Sequence, residues 1–217
     1  MQIVVSCEHA KNAVPKEYAQ VIKGHASQLL THRGYDIGVE FVAKSLARCL
    51  QAPFVSFPIS RLLIDPNRSV SSKSLFVLPL ASGVKNELLM RYYFPYRDTL
   101  QHMIERAFPV LHLSVHSFTP RLNGKERKAD IGLLYDPARA QEKTLCAKIG
   151  EQLRIRRTVR LNYPYQGRAD GLTTYFRKCY GERKYVGVEI EINQGLLDHK
   201  NVGIVRELVE AIRAVVC

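Results

Sequence analysis

Short strand-like runs alternate with longer helix-like runs along most of this 217-residue chain. Residues 2–6, 110–115 and 185–192 are rich in β-branched residues or alternate between apolar and polar side chains, which predicts strands. Residues 36–50 and 136–154 carry apolar side chains at helical spacing, which predicts helices. The alternation predicts an α/β fold in which a central, mixed but largely parallel sheet is flanked by helices.

Weaker patterns complete this prediction. Three further segments have the composition of short strands: residues 53–57, 131–135 and 158–161. Pro95 suits the first turn of a helix, and Asp36, Asp136 and Asp198 stand where helix N-caps are expected. Because neither a repeat nor a low-complexity linker interrupts the pattern, we predict that residues 1–217 form a single domain.

The net charge of +12 allows two kinds of partner, a nucleic acid or a small anionic substrate. The basic residues form no continuous tract, and no known nucleic-acid-binding motif is recognisable, so we expect no nucleic-acid partner. The chain has no long uncharged apolar run and no basic leader with a cleavage site, which predicts a cytoplasmic protein without a membrane span. Its five cysteines include no CxxC pair and are expected to be reduced.

Polar residues follow several of the predicted strands, where sites gather in open α/β sheets. His9 follows the first strand and His116 follows the strand at 110–115, and two imidazoles suit zinc or another divalent metal. A catalytic zinc takes a third protein ligand, and the candidates are Glu8 and Asp36. The alternatives are structural histidines and, for Asp36, a plain helix N-cap.

Other polar residues could act beside such a metal. Glu191 is the candidate general base, because a carboxylate near a metal-activated water can take its proton. Glu189 shares its strand face, and the pattern leaves open which of the two points at the metal. Arg61 and Arg68 are candidates for binding an anion, with Asn67 as an additional donor. The alternative is that these residues belong to ordinary surface turns.

Long polar loops at 66–83 and 117–129 are typical places for a site. The glycine-bearing segment at 163–171 is a candidate for a loop that closes over a substrate, and Arg168 within it is a further candidate for substrate binding. The alternative for this segment is a solvent loop.

A series of motifs resembles the N-formylglutamate amidohydrolase family. They occur in family order from residue 6 to about residue 197: SCEHAKNAVP, THRGYDIG, SRLLIDPNRS, VHSFTP, ADIGLLYDP, NYPYQGRADGLTTYFR and VEIEINQGLL. That family is in turn similar to zinc carboxypeptidases and aspartoacylases. The resemblance implies a central mixed sheet flanked by helices and a metal held at the carboxyl edge of that sheet.

The resemblance also implies roles for individual residues. His9 and His116 match the early and late histidine ligands, and Glu191 matches the glutamate that activates water. Asn12 stands three residues after His9, where the carboxypeptidase pattern has the glutamate that completes the metal site, so the third ligand stays open.

The substrate-binding residues are implied in the same way. Arg61 matches the arginine that polarises the scissile carbonyl, and Asn67 with Arg68 matches the pair that receives a substrate carboxylate. We therefore expect a metal-dependent amidohydrolase that cleaves N-formyl-L-glutamate or a related N-acyl amino acid, a small anionic amide. The alternatives are a peptidase or deacylase with a larger substrate, and a non-catalytic basic domain that binds anions or nucleic acid.

Overall fold

The computed structural model describes residues 1–197 and 202–216, and within them six strands form one sheet while two form a short hairpin. The strands are β1 Gln2–Cys7, β2 Phe54–Ser56, β3 Val110–Phe118, β4 Arg121–Leu122, β5 Lys125–Glu126, β6 Ile131–Leu134, β7 Val159–Leu161 and β8 Tyr185–Asn193. The order in the sheet is β2-β1-β3-β8-β6-β7. Only the pairing of β6 with β8 is antiparallel in this sheet of the described residues, which confirms the mixed, largely parallel prediction.

Helices cover both faces of the sheet. They are α1 Ala19–Ile22, α2 Val39–Leu50, α3 Ser82–Leu88, α4 Phe94–Arg106, α5 Ala140–Arg154, α6 Leu172–Cys179 and α7 Val202–Val216. A π-helical turn, Leu89–Tyr93, joins α3 to α4, and 3-10 turns cover Lys16–Tyr18, Lys23–Leu30 and Gln194–Leu196. One apolar core forms between the sheet and α2, α5 and α7, and a second lies on the side of α3, α4 and α6. None of the described helices is long and apolar enough to cross a membrane.

The central strands β3 and β8 have one apolar and one polar face. The apolar residues of β8 contribute to the core that includes α2, α5 and α7: Val186, Val188, Ile190 and Ile192. On the other face, Ser114 pairs in register with Glu189, and His116 pairs with Glu191. Successive side chains of a strand point to opposite faces, so this register places the imidazole and the carboxylate side by side. The alternation predicted for residues 185–192 is confirmed.

Two predicted helix starts are wrong. α2 begins at Val39, after Gly38 in the left-handed conformation, so Asp36 is not its N-cap. α5 begins at Ala140, and Asp136 instead accepts a hydrogen bond from the backbone of Ala138. The predicted N-cap Asp198 lies outside the described residues. Helices α3 and α6 were not predicted, and α6 follows directly on the segment at 163–171.

Gly132 on β6 marks the place where the segment at 163–171 crosses the polar face of the sheet. A Cβ atom added there would lie 1.8 Å from the backbone oxygen of Tyr163 and 3.3 Å from Cβ of Glu191. Neither backbone can move aside cheaply, because β6 is paired with strands on both sides and the N–H of Asn162, next to Tyr163, donates to the oxygen of Leu133. The close approach therefore requires glycine.

We expect Gly132→Ala to lower the free energy of unfolding by about 3 kcal/mol or more, as overpacking against backbone does. Gly83→Ala on α3 is the matched control, because nothing lies within 4 Å of its added Cβ. That control should be neutral or stabilising by up to about 1 kcal/mol. Urea unfolding followed by circular dichroism measures both. Equal stabilities for the two variants would contradict the close approach at Gly132.

Candidate active site

A cavity of about 390 Å³ opens at the carboxyl ends of β1, β3 and β8. Its floor consists of acidic and imidazole side chains: His9, Asp36, His116, Glu189 and Glu191. Its walls come from the loops that follow the strands, including the segment at 163–171. The predicted long loops at 66–83 and 117–129 both contribute to the lining.

Three buried side chains on the floor could hold a metal ion. The ligand atoms of His9, Asp36 and His116 lie within 4.8 Å of one another, and no other such group occurs in the described residues. Oδ2 of Asp36 lies 3.5 Å from Nδ1 of His9 and 3.1 Å from Nδ1 of His116. Both imidazoles therefore present the same ring nitrogen to one carboxylate oxygen.

The far nitrogens of both imidazoles contact buried carboxylates. Nε2 of His9 lies 2.8 Å from Oδ1 of Asp65, and Nε2 of His116 lies 3.0 Å from Oε2 of Glu8. This arrangement fixes the orientation of each ring so that its Nδ1 faces the carboxylate of Asp36. Metal sites in which histidines donate to carboxylates are built in the same way. Glu8 thus lies behind His116, where it also accepts hydrogen bonds from Tyr96 and Ser114.

Asp36 reaches this position because it precedes α2 instead of capping it. Its backbone N–H donates a hydrogen bond to the oxygen of His9, just after β1, and Oδ2 also accepts one from the backbone N–H of Ser117. Burial opposes the charge, but the electrostatic interaction with His9 and the hydrogen bond with His116 lower the pKa of Asp36 below its usual range. Although burial lowers it, hydrogen bonds with Asp36 and Glu8 raise the pKa of His116 well above its usual value.

Arg61 lies beside the same group. Its Nη2 donates to Oδ2 of Asp65 at 2.8 Å, and its Nη1 donates to Nδ1 of His9 at 3.1 Å. Nη1 also lies 3.5 Å from Oδ1 of Asp36. A guanidinium thus contacts two of the three candidate ligands, and it engages Nδ1 of His9, the nitrogen that faces Asp36.

Glu191 has a buried carboxylate with a free oxygen. Its side chain is 5% exposed, and Oε2 has no hydrogen-bond partner among the described residues. Burial, together with the negative charges of Asp36 and Glu189, raises the pKa of Glu191 to about 8, against a lowering by His116. A carboxylate with this pKa can both accept and return a proton near neutral pH.

Glu189 lies on the same face as Glu191 but its carboxylate is already engaged. It accepts a hydrogen bond from the hydroxyl of Thr173 on α6. Of the two carboxylates that the sequence left open, Glu191 is therefore the one with a buried oxygen that has no hydrogen-bond partner among the described residues.

Asn67 and Arg68 lie on the opposite wall. Oδ1 of Asn67 accepts a hydrogen bond from the backbone N–H of Leu172 at 2.6 Å, so its amide nitrogen is left as a donor. Nη1 of Arg68 donates to the backbone oxygen of Asp170 at 2.6 Å. Both side chains line the cavity, as predicted for residues that contact an anion.

A model of the N-formylglutamate amidohydrolase family matches residues 1–197. The chain belongs to the N-formylglutamate amidohydrolase family. It is accordingly a hydrolase that acts on an amide bond. The alternative of a non-catalytic basic domain is therefore not retained.

Solved structures similar to this N-formylglutamate amidohydrolase family member include the following two. The gene product Atu2144 of Agrobacterium tumefaciens is 26% identical, with a TM-score of 0.87 over 99% of this chain and 90% of that one. The N-formylglutamate amidohydrolase of Ralstonia eutropha JMP134 is 19% identical, with a TM-score of 0.73 over 99% of this chain and 93% of that one. Because its sequence identity is only 19%, the similarity to the Ralstonia eutropha structure shows a shared fold and nothing more. No curated protein matches the chain.

The structure places Arg168 outside the cavity of this N-formylglutamate amidohydrolase family member. Its side chain is exposed, while its neighbours Gln166 and Ala169 line the cavity. The segment turns so that Ala169 donates its N–H to the oxygen of Gln166, and Arg168 lies at the outer side of that turn. Arg168 is thus not among the residues that the structure brings together at the cavity, and its role in substrate binding stays a prediction.

Sequence reasoning missed other residues that line the cavity of this family member. Arg33 and His32 come from the THRGYDIG motif, in which only Asp36 was singled out. Tyr165 and Asp170 come from the segment at 163–171. These residues lie in sequence motifs that could have indicated a site. The spacing of residues within those motifs does not, however, indicate which side chains point into the cavity.

Proposed function

We propose that this protein hydrolyses the amide bond of N-formyl-L-glutamate, or of a closely related N-acyl amino acid, with a divalent metal held by His9, Asp36 and His116. The observation that carries the proposal is the convergence of two imidazoles, each backed by a buried carboxylate, on Oδ2 of Asp36. The family supplies the reaction class and the site supplies residues able to perform it.

The three side chains fit a zinc ion. Zinc bonds of about 2.0–2.1 Å in a tetrahedral arrangement place ligand atoms about 3.4 Å apart. The distances from Oδ2 of Asp36 to the two imidazole nitrogens, 3.5 and 3.1 Å, are close to that spacing. Two nitrogens and one oxygen also leave a coordination position open, as in catalytic sites. A metal bound here supplies a Lewis acid that polarises the amide oxygen and acidifies a water molecule.

Glu191 is proposed as the proton carrier. Its free Oε2 takes a proton from the attacking water and returns it to the leaving nitrogen of the substrate. The raised pKa of Glu191 suits both steps, because an acid–base group works best when its pKa lies near the working pH.

The arginines are proposed to hold the anionic parts of the substrate. Asn67 and Arg68 receive a substrate carboxylate through their free N–H groups, and Arg61 stabilises the negative charge that develops on the amide oxygen. The cavity volume of about 390 Å³ favours a small substrate over the longer peptide of the alternative peptidase function.

The proposal is tested by incubating the zinc-loaded protein with N-formyl-L-glutamate and quantifying formate and glutamate. We expect equal amounts of both products, and a kcat/KM at least about tenfold higher than for N-formyl-L-leucine, because an uncharged side chain leaves buried polar groups unpaired. Turnover of acidic peptides with none of N-formyl-L-glutamate would contradict the proposal and favour the peptidase function.

A further inference from the structure

Arg97 on α4 is a buried cation without a carboxylate partner. Its residue is 6% exposed, it forms no ion pair among the described residues, and its Nε has no hydrogen-bond partner there. Burial lowers the pKa of Arg97, although neighbouring tyrosines oppose the shift. A buried charge is costly to maintain, so the surroundings of this guanidinium must compensate for lost hydration.

Two tyrosine rings provide part of that compensation. The guanidinium carbon of Arg97 lies 4.5 Å from the centre of the Tyr93 ring and 4.8 Å from that of Tyr175. Cation–π contacts of this kind stabilise a desolvated arginine. The two rings come from different segments, the π-helical turn before α4 and helix α6, so the stack fixes the plane of the guanidinium.

The fixed guanidinium donates to the backbone that carries the proposed carboxylate-binding pair. Nη2 of Arg97 lies 3.1 Å from the oxygen of Pro66 and 2.8 Å from the oxygen of Arg68. The hydroxyl of Tyr93 donates to the same oxygen of Arg68 at 2.7 Å. These two carbonyl groups flank Asn67, so Arg97 holds the turn on both sides of it.

The opposite side of this turn is held by the metal-binding region. The backbone N–H of Asn67 donates to Oδ1 of Asp65 at 3.0 Å, and that oxygen also contacts Nε2 of His9. The turn is therefore fixed between the candidate metal ligands in front and Arg97 behind, which leaves the side chains of Asn67 and Arg68 directed at the cavity.

We infer that Arg97 is a positioning residue for recognition of the substrate carboxylate: it orients Asn67 and Arg68 and adds a positive charge behind them that no ion pair cancels. The inference rests on the proposed function, since it assumes that this pair receives a carboxylate. Because Arg97 is not expected to contact the reacting amide, its removal should change which substrates are selected and not the rate of the chemical step.

The test compares Arg97→Met with the wild-type enzyme on N-formyl-L-glutamate and on its two monoamides, N-formyl-L-glutamine and N-formyl-L-isoglutamine. The wild-type enzyme should discriminate against the monoamide that lacks the carboxylate bound by Asn67 and Arg68. In Arg97→Met we expect that discrimination in kcat/KM to shrink about tenfold, because a charge-assisted interaction is lost. KM for N-formyl-L-glutamate should rise by a similar factor while kcat changes less than about threefold.

Three further variants separate positioning from general damage. Arg106→Met removes an exposed arginine from the same helix and should leave all three substrates unaffected. Tyr93→Phe removes one donor to the oxygen of Arg68 but keeps the ring, and should reproduce the effect of Arg97→Met at smaller size. Arg97→Lys keeps the charge and replaces Arg97→Met in the test if circular dichroism shows that Arg97→Met does not fold. We expect Arg97→Lys to lose part of the discrimination between N-formyl-L-glutamate and its monoamides.

Equal loss of activity on all three substrates in folded Arg97 variants would overturn the inference. A wild-type protein that does not turn over N-formyl-L-glutamate would contradict the proposed function instead. In that case calorimetric binding of glutarate, a dicarboxylate with no amide, still tests Arg97. Weaker glutarate binding in Arg97→Met than in Arg106→Met supports the inference, and equal affinities contradict it.

Discussion

Glu191→Gln is expected to bind zinc as the wild-type protein does and to lose at least about a hundredfold in kcat, as enzymes do without their acid–base group. The amide is nearly isosteric with the carboxylate, so the neighbouring His116 and Gly132 keep their contacts. What it lacks is an oxygen that can accept the proton of water. The comparison needs kcat on N-formyl-L-glutamate and the zinc content of the same protein preparation.

Glu189→Gln is the matched control for this substitution. It makes the same change from carboxylate to amide on the same face of β8, two residues away, where the carboxylate already accepts a hydrogen bond from Thr173. We expect a loss of less than about tenfold, since no proton transfer is assigned to it. A large loss in Glu189→Gln with near-normal turnover in Glu191→Gln would reverse the two assignments.

Asp36→Ala and Glu8→Gln are expected to differ in metal binding. Asp36 is proposed as a ligand, so its removal should reduce zinc to well below one ion per chain after loading and dialysis. Glu8 is proposed to orient His116 without binding the metal, and loss of such a partner typically costs about 10–100-fold in metal affinity. Glu8→Gln should therefore still load fully when zinc is supplied in excess.

Elemental mass spectrometry of both variants measures this difference. His116→Ala should behave as Asp36→Ala does, whereas His102→Ala, at an exposed position on α4, should keep its zinc. Full loading of Asp36→Ala beside an empty Glu8→Gln would show that the third ligand is Glu8.

The sheet could be predicted from the sequence because its signal is local. Alternation along residues 185–192 separates the apolar side chains from Glu189 and Glu191 on any strand, and the run at 110–115 does the same for His116. Once both strands lie in one sheet, backbone register alone brings His116 next to Glu191. The proximity of His116 and Glu191 could therefore be predicted without predicting the conformation of any loop.

The position of Asp36 could not be predicted in the same way. An aspartate before an apolar helical pattern predicts an N-cap, and only the left-handed turn at Gly38 delays the helix and frees the carboxylate. The choice between Asp36 and Glu8 likewise depends on which side of His116 each one reaches, and that is a tertiary property.

Arg97 and helix α6 were missed for related reasons. α6 is eight residues long and follows a glycine-rich segment, so its two buried apolar residues, Leu172 and Phe176, do not form a recognisable period. Arg97 lies in a polar stretch of α4, and an arginine there predicts a solvent contact. Its burial arises from Tyr175 on α6, nearly 80 positions along the chain.

The pairing of His116 with Glu191 across two central strands has a consequence for how the protein can change over evolutionary time. Backbone hydrogen bonds of the sheet set the spacing between these two groups, whereas the walls of the cavity include residues from the turn at 66–69 and the segments at 117–129 and 163–171. Substitutions or insertions in those segments can alter which acyl compound is accepted without changing the spacing of His116 and Glu191. We therefore expect new specificities to be selected most readily from libraries confined to these three segments.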